Sequence, residues 1–271
     1  MDNANHIEFR IKDIAKIFSL SPKKAEYYEK NGIISTIRDS KNNYRYFNLH
    51  NICEITRAKM YRAYGISIKD TAALIEATDL KPIGDLFESK ISELEIQLKH
   101  KILLLEALKS KAAQIEKIMA GKNEFEIIDH PPIHYSSINA TNYYPDIIAS
   151  KLERWRKVPE FSDPCIFYTY KSDISDYAIS LGMCMDHHFY EETINDGTTK
   201  DSVFDANHVL HTIMPVNEED VFNPSILEPI FKYAELNGIK LKKDFFCRTF
   251  LIIKGEKDHH KCYFEFFAPI F

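Results

Sequence analysis

The chain has 271 residues and a mass of 31.6 kDa, is 45% hydrophobic and carries a formal net charge of −5. That is enough apolar material for a sizeable core and two domains. The start MDNANHIEFR lacks a basic-then-apolar secretory pattern, and no apolar run approaches the roughly 18 residues of a membrane span, so a soluble, cytoplasmic protein is expected.

Five cysteines, Cys53, Cys165, Cys184, Cys247 and Cys262, are an odd number without a CxxC, which suits reduced, mostly buried thiols. Charge is unevenly placed. Residues 1–75 hold 13 Lys and Arg against 8 Asp and Glu, a net of +5, which leaves −10 for the remainder. A basic head on an acidic body points to nucleic acid at one end of the chain only.

Ile11, Ile14, Ala15 and Phe18 recur at helical spacing, and only Ser19 and Leu20 separate this first helix from a second. Ser21 is suited to cap the second helix, Pro22 to its first position, and Gly32 to its end, so Pro22 to Asn31 is one helix of a helix-turn-helix. Ile33 to Ile37 and Tyr44 to Phe47 are β-prone runs flanking SKNN, with Asn42 and Asn43 suited to the turn; they form a wing. Lys23, Lys24 and Tyr27 on the second helix, with Arg38, Lys41, Tyr44 and Arg45 on the wing, can reach phosphates on either side of a major groove. Taken singly, Tyr27 and Tyr28 read as core aromatics and the lysines as a solvated face; taken as an ordered set, they read as a DNA-binding surface. Asn48 then caps a helix through Ile52, Ile55, Ala58, Met60 and Tyr61 that stops at Gly65. Ser67 and Asp70 make a capping box for a helix burying Ile68, Ala72 and Ile75, which completes a winged head over residues 1–80.

The succession IKDIAKIFSLS, AEYYEKNGI, NNYRYF and a helix ending in RAYGIS resembles, over residues 9–78, the DNA-binding domain of MerR-type transcription regulators. The resemblance implies double-stranded DNA as a partner and RNA polymerase at the promoter. Two positions depart from it. Glu26 stands where the family usually has an arginine before YYE, and Asn43 where a glycine usually precedes the wing tyrosine. Glu26 removes a DNA contact that the resemblance would supply, with Lys24 two residues back as a partial replacement.

Pro82 can open a long helix that meets no glycine or proline between Asp85 and Ala120. Phe87, Ile91, Leu94, Leu98, Leu105, Leu108, Ala112, Ile115 and Met119 follow a 3,4 alternation, with Lys101 at one seam position, which is a coiled-coil repeat. Residues 81–121 are therefore expected to pair two chains as a homodimer, antiparallel by the MerR resemblance, on a pseudo-palindromic operator. The competing reading folds the helix back on its own C-terminal domain.

Residues 122–271 change to an α+β pattern, so the fold class is α then α+β. Phe125 to Asn139 is a strand region interrupted by Pro131-Pro132, Pro145 begins a helix through Ile148, Leu152 and Trp155, and Cys165 to Tyr170 and Tyr177 to Met185 are strands. The order recurs in Val209 to Val216, a helix from Pro224 through Leu227, Ile230, Phe231 and Ala234 to Gly238, Phe245 to Ile253, and Cys262 to Ile270. The prolines are 79 residues apart, so a duplicated strand-helix-strand-strand unit is expected, with a concave ligand site between its halves and a long polar loop from His187 to Asn207.

The closing CYFEFFAPI resembles the end of GyrI-like effector-binding domains, carried by multidrug-responsive MerR regulators, over residues 124–271. Glu265 shares a strand face with Tyr263 and Phe267, and a carboxylate among aromatics suits a small lipophilic cation; related domains use such a glutamate in this way. Tyr168 and Tyr170, which share a face, and Trp155, the single tryptophan, are further pocket candidates, each competing with a plain core role. His187-His188 and His259-His260 are poor chelates if they lie in strands, where neighbours point to opposite faces, and residues 76–124 hold no cysteine, so neither metal nor other cofactor is expected. Without a nucleophile-base pair near Glu265 the chain reads as a sensor and not an enzyme. A hydrolase using Glu265, or a ligand-independent DNA-architectural protein, are the alternatives.

Overall fold

In the computed structural model, which describes residues 9–38, 44–121, 124–139, 144–171, 177–199, 201–205, 207–255 and 260–271, the chain divides into two compact units, Met1–Lys99 and His100–Phe271. The first unit runs β1 (Phe9–Arg10), α1 (Ile11–Phe18), α2 (Pro22–Lys30), β2 (Ile37–Arg38), β3 (Arg45–Phe47), α3 (Leu49–Ala63) and α4 (Ile68–Glu76), then enters α5 (Lys81–Met119). Ser19, left-handed at φ 51°, ends α1; the Ser21 hydroxyl accepts the Lys24 amide at the start of α2; Gly32, at φ +71°, ends α2. Asn48 and Asn51 each accept the other's backbone amide at 3.0 Å, which opens α3. Ile14, Leu20, Tyr28, Ile33, Phe47 and Ile55 close one core over these helices.

Two expectations about the wing change. Ile33 and Ile34 are buried core residues rather than strand, so β2 shrinks to two residues; and β1 adds a strand, giving the order β1-β3-β2 with Phe9 opposite Phe47. A two-residue strand leading into a helix has no periodicity to betray it. Lys41, Asn42, Asn43 and His259 lie outside the described residues.

The 39 residues of α5 extend about 58 Å at 1.5 Å per residue. Pro82 sits in its first turn, and Gly84 lies inside the helix. Phe87 packs beside Tyr61 in the first unit, with ring centroids 6.0 Å apart. Ile91, Leu94, Leu98, Leu105 and Leu108 are 47 to 62% exposed and Met119 is exposed, while Ile115 is half-buried. Leu103 and Ala107 are buried in a cluster with Trp155, Phe161, Met185 and Tyr190. The helix thus has a covered face, as the competing reading held, and an open apolar stripe on the seam positions.

The second unit adds β4 (Glu126–Ile128), β5 (Ile133–Asn139), α6 (Pro145–Lys151), β6 (Asp163–Tyr170), β7 (Tyr177–Asp186), α7 (His187–Thr193), β8 (Ser202–Phe204), β9 (Val209–Asn217), α8 (Glu228–Leu236), β10 (Phe245–Lys254) and β11 (His260–Pro269). Among the described residues, eight strands make one antiparallel sheet in the order β4-β9-β11-β10-β6-β7-β5-β8. Its six inner strands run first, third, second and then second, third, first of the two expected modules, with β10 and β6 meeting at the centre. One face carries the core of Ile166, Tyr168, Phe245, Cys247, Phe264 and Phe266 under α8; the other carries Cys165, Cys184, Phe246 and Phe267.

Pro131-Pro132 does more than interrupt a strand. It separates β4, at one edge of the sheet beside β9, from β5, beside β7 toward the other edge. The expected helix from Pro145 stops at Lys151, and Trp155–Lys157 and Pro159–Phe161 continue as 3-10 turns. The expected loop from His187 contains α7 and β8, because Tyr190, Ile194 and Phe204 find core despite the polar residues around them.

Candidate functional site

The surface expected to meet DNA is built by α2 and the wing. Lys23 and Lys24 project from the first turn of α2, Tyr27 is 49% exposed one turn on, and Tyr44 at the wing is 69% exposed. Tyr28, next to Tyr27, goes into the core at 2%. The two wing arginines point back at α2. Arg45 donates from Nε to Glu29 at 2.8 Å and from Nη1 to Glu26 at 3.1 Å, and Arg38 reaches Glu29 at 3.3 Å. Partial burial raises the Glu29 carboxyl, but the Thr36 hydroxyl, Arg45 and Arg38 outweigh it and leave it below its ordinary value. Glu26, the departure from the family pattern, therefore supplies a second carboxylate to the wing arginine in place of a cation on the helix. The signal for this was in the sequence, since Glu26 and Glu29 lie three apart and share a helix face.

In the second unit Glu265 is 2% exposed and fully engaged. Oε2 accepts Arg248 Nε at 2.6 Å; Oε1 lies 2.8 Å from His211 Nε2 and accepts the Gln114 amide of α5 at 3.1 Å. Arg248 is the cross-strand neighbour of Glu265 and donates on to Asp186 at 2.6 Å, with its guanidinium 5.5 Å from the Phe267 ring centre. Burial by itself would raise the Glu265 carboxyl, yet the charge of Arg248 and the His211 contact hold it well below the usual carboxylate range. The carboxylate expected to meet a lipophilic cation is thus half of a buried ion pair with Arg248. A lone Arg in FFCRTFLII and a lone Glu in CYFEFFAPI were the sequence signal, because each charge in an otherwise apolar strand requires a partner.

The cleft over this pair lies between α5 and the sheet. Gln114, Lys111 and Ala107 form one wall, and Phe161, Phe189 and Phe250 the others, with Glu160, Asp163 and Asp186 at the sides. Lys111 pairs with Asp163 at 2.9 Å. The free space is about 30 Å³, near the share of a single water and far below the roughly 300–1,000 Å³ of sites that hold drug-sized ligands.

The structure does not assemble the expected aromatic pocket. Tyr168 is fully buried on the opposite face of the sheet, where its hydroxyl donates to the Val221 carbonyl, and burial pushes that phenol far up. Tyr170 packs against the same core, with the Lys243 ammonium 4.3 Å from its ring centre. Trp155 is 1% exposed under Leu103 and Ala107 of α5. Tyr263 does share the Glu265 face, two residues along β11, with the Lys261 ammonium 5.3 Å away. Strand-face parity cannot tell which face of a sheet a cleft will use.

Residues 9–78 match the family model described as MerR HTH family regulatory protein. No curated protein matches the sequence. Among solved structures, the chain is similar to EcmrR in an EcmrR–DNA complex within EcmrR-RPo, at 16% identity over 97% of this chain and 99% of that one, with a TM-score of 0.38. It is also similar to HiNmlR, a MerR family regulator lacking the sensor domain, bound to promoter DNA, at 20% identity over 42% of this chain and 94% of that one, with a TM-score of 0.34. A MerR family transcriptional regulator from Bacillus cereus aligns at 10% identity over 56% of this chain and 99% of that one, with a TM-score of 0.36.

Proposed function

We propose that this chain, a DNA-binding transcription regulator by the MerR-type head at residues 9–78, works as a homodimer whose second unit answers to a small effector. MerR regulators are DNA-binding transcription factors and not enzymes. The observation that carries the reading is the head itself: a capped α2 with exposed Lys23, Lys24 and Tyr27, and a wing whose Arg38 and Arg45 sit ready at its flank. Cations on two elements fix a protein on the DNA backbone, and competition by phosphate for Arg45 would release Glu26.

The open stripe from Ile91 to Leu108 supports pairing of two chains through α5, since an apolar row of that length is costly in water. The effector site in this reading is the Glu265 cleft, with Tyr263 beside it. Trp155, Tyr168 and Tyr170 leave the set because they are core or lie behind the sheet. Four acids, Glu160, Asp163, Asp186 and Glu265, face two bases, Lys111 and Arg248, so the cleft still favours a cation. Admitting one requires α5 to shift away from Glu265, which couples the ligand to the helix that joins the protomers. A carboxylate held so far below its usual range is a weak base, which counts against the hydrolase alternative.

The test is a titration of the full chain on its own upstream DNA across a salt series, with and without lipophilic cations, while Trp155 fluorescence is followed. Because Trp155 packs on Leu103 and Ala107, it reports movement of α5. Salt-steep DNA binding with a saturable fluorescence change is expected. DNA binding with no response to any cation would remove the effector class, and no DNA binding would remove the proposal.

A further inference from the structure

Outside the DNA-binding surface and the Glu265 cleft, one cluster of side chains has the chemistry of a ligand set. His134 of β5 and His187 and Glu191 of α7 bring one ligand atom each to within 4.8 Å of one another. We infer that His134 Nε2, His187 Nδ1 and Glu191 Oε1 form a binding site for a divalent transition metal ion of the zinc class, with a fourth position open to solvent.

The placement follows from the fold. The His187 amide donates to the Pro132 carbonyl at 3.1 Å, which ties the first residue of α7 to the chain entering β5, one residue from its start. Glu191 lies four residues on and so returns to the same helix face. The adjacent-histidine argument against a chelate assumed a strand; His187 begins a helix, and its partner is His134, 53 residues away.

The distances suit a small ion. The two histidine nitrogens are 2.9 Å apart and His187 Nδ1 is 3.8 Å from Glu191 Oε1. Two donors each about 2.0–2.1 Å from a tetrahedral ion lie about 3.3 Å apart, so coordination needs the histidine pair to open and turn toward a common point, and the Glu191 oxygen to close in toward both, each by a side-chain adjustment. Two imidazoles and one carboxylate with an open position is a donor set found for zinc.

The surroundings hold the ligands in place. Tyr190 stacks on the His134 ring at 3.8 Å and 7°, and its hydroxyl is anchored to Asp201 at 2.9 Å. The Asn195 amide donates to Glu191 Oε2 at 2.7 Å, which leaves Oε1 toward the histidines. Support of this kind orients ligands in metal sites. Beside the cluster a cleft of about 550 Å³, bounded by His134, Glu191, Thr198 and Asp201, gives an ion and a fourth ligand access.

The experiment is calorimetric titration of untagged, chelator-treated full-length protein with zinc, repeated with cobalt to read the donor atoms by absorption. One ion per chain is expected, with cobalt giving tetrahedral ligand-field bands and no thiolate charge-transfer band. That spectrum excludes the exposed Cys53 as the ligand. His134→Ala and Glu191→Gln should each weaken zinc binding at least tenfold while leaving the far-ultraviolet circular dichroism and DNA binding unchanged. His260→Ala, which removes an exposed histidine paired with Glu218 elsewhere on the same unit, should leave zinc affinity as it was. No binding by the unaltered protein, a thiolate band, or undiminished affinity in both His134→Ala and Glu191→Gln would overturn the site.

Discussion

Arg45 is the residue on which the DNA-binding reading is most exposed to test. If it serves as a phosphate contact, Arg45→Ala weakens binding to all sequences alike and lowers the slope of log affinity against log salt by about 1. Glu26→Gln acts in the opposite sense, because it frees Arg45 from one of its two carboxylates; DNA affinity at low salt should rise. An exposed pair of this kind is worth about 1 kcal/mol or less, so a rise of at most severalfold in fluorescence anisotropy titrations is expected. Glu265 sets a different test. Its carboxyl is lower in the folded chain than the ordinary value near 4.3 that an unfolded chain has. The unfolded state therefore binds the proton first, and the stability this pair contributes is complete above about pH 5 and is lost as pH falls toward the folded value. Urea unfolding should show that loss between pH 5 and 3 in the unaltered protein and less of it in Glu265→Gln. At pH 7 the variant should be less stable by about 3–5 kcal/mol, since Arg248 is left with Asp186 alone in a buried place.

At the scale of elements, local chemistry is legible in the sequence and strand pairing is not. Ser21, Pro22, Gly32, Asn48 and Ser67 mark helix ends in the sequence where the structure has them, because a cap is a property of three or four adjacent residues. β1, α7 and β8 are too short or too polar to show a period. Gly182 tests the register of β7 on β5. It sits opposite Ser137, and a Cβ there would fall on the Ser136 carbonyl oxygen. Gly182→Ala should therefore separate the two strands and cost more than about 4 kcal/mol, with loss of soluble, cooperatively unfolding protein as the readout.

For the whole molecule the decisive element is α5, which buries Leu103 and Ala107 while leaving Leu98 and Leu105 in solvent. If those exposed positions join two chains, the double change Leu98→Glu and Leu105→Glu yields monomers in analytical ultracentrifugation. Two-fold operator binding falls with it, while the helical signal of the head persists. Sequence alone determined the head, since its helix-turn-helix and wing rest on caps, turns and contacts among residues close along the chain. It also placed β6, β7, β9, α8, β10 and β11, whose apolar runs are long enough to show a period, but not α7 or β8. Only the tertiary structure decided that Arg248 neutralises Glu265, that Tyr168 and Tyr170 lie behind the sheet, that Trp155 supports α5, and that His134 meets His187 and Glu191. Each of these depends on which strands become neighbours and which face a helix covers, and that is set by packing between segments 17 to 151 residues apart, such as Arg248 with Glu265 and Gln114 with Glu265, which no local pattern encodes.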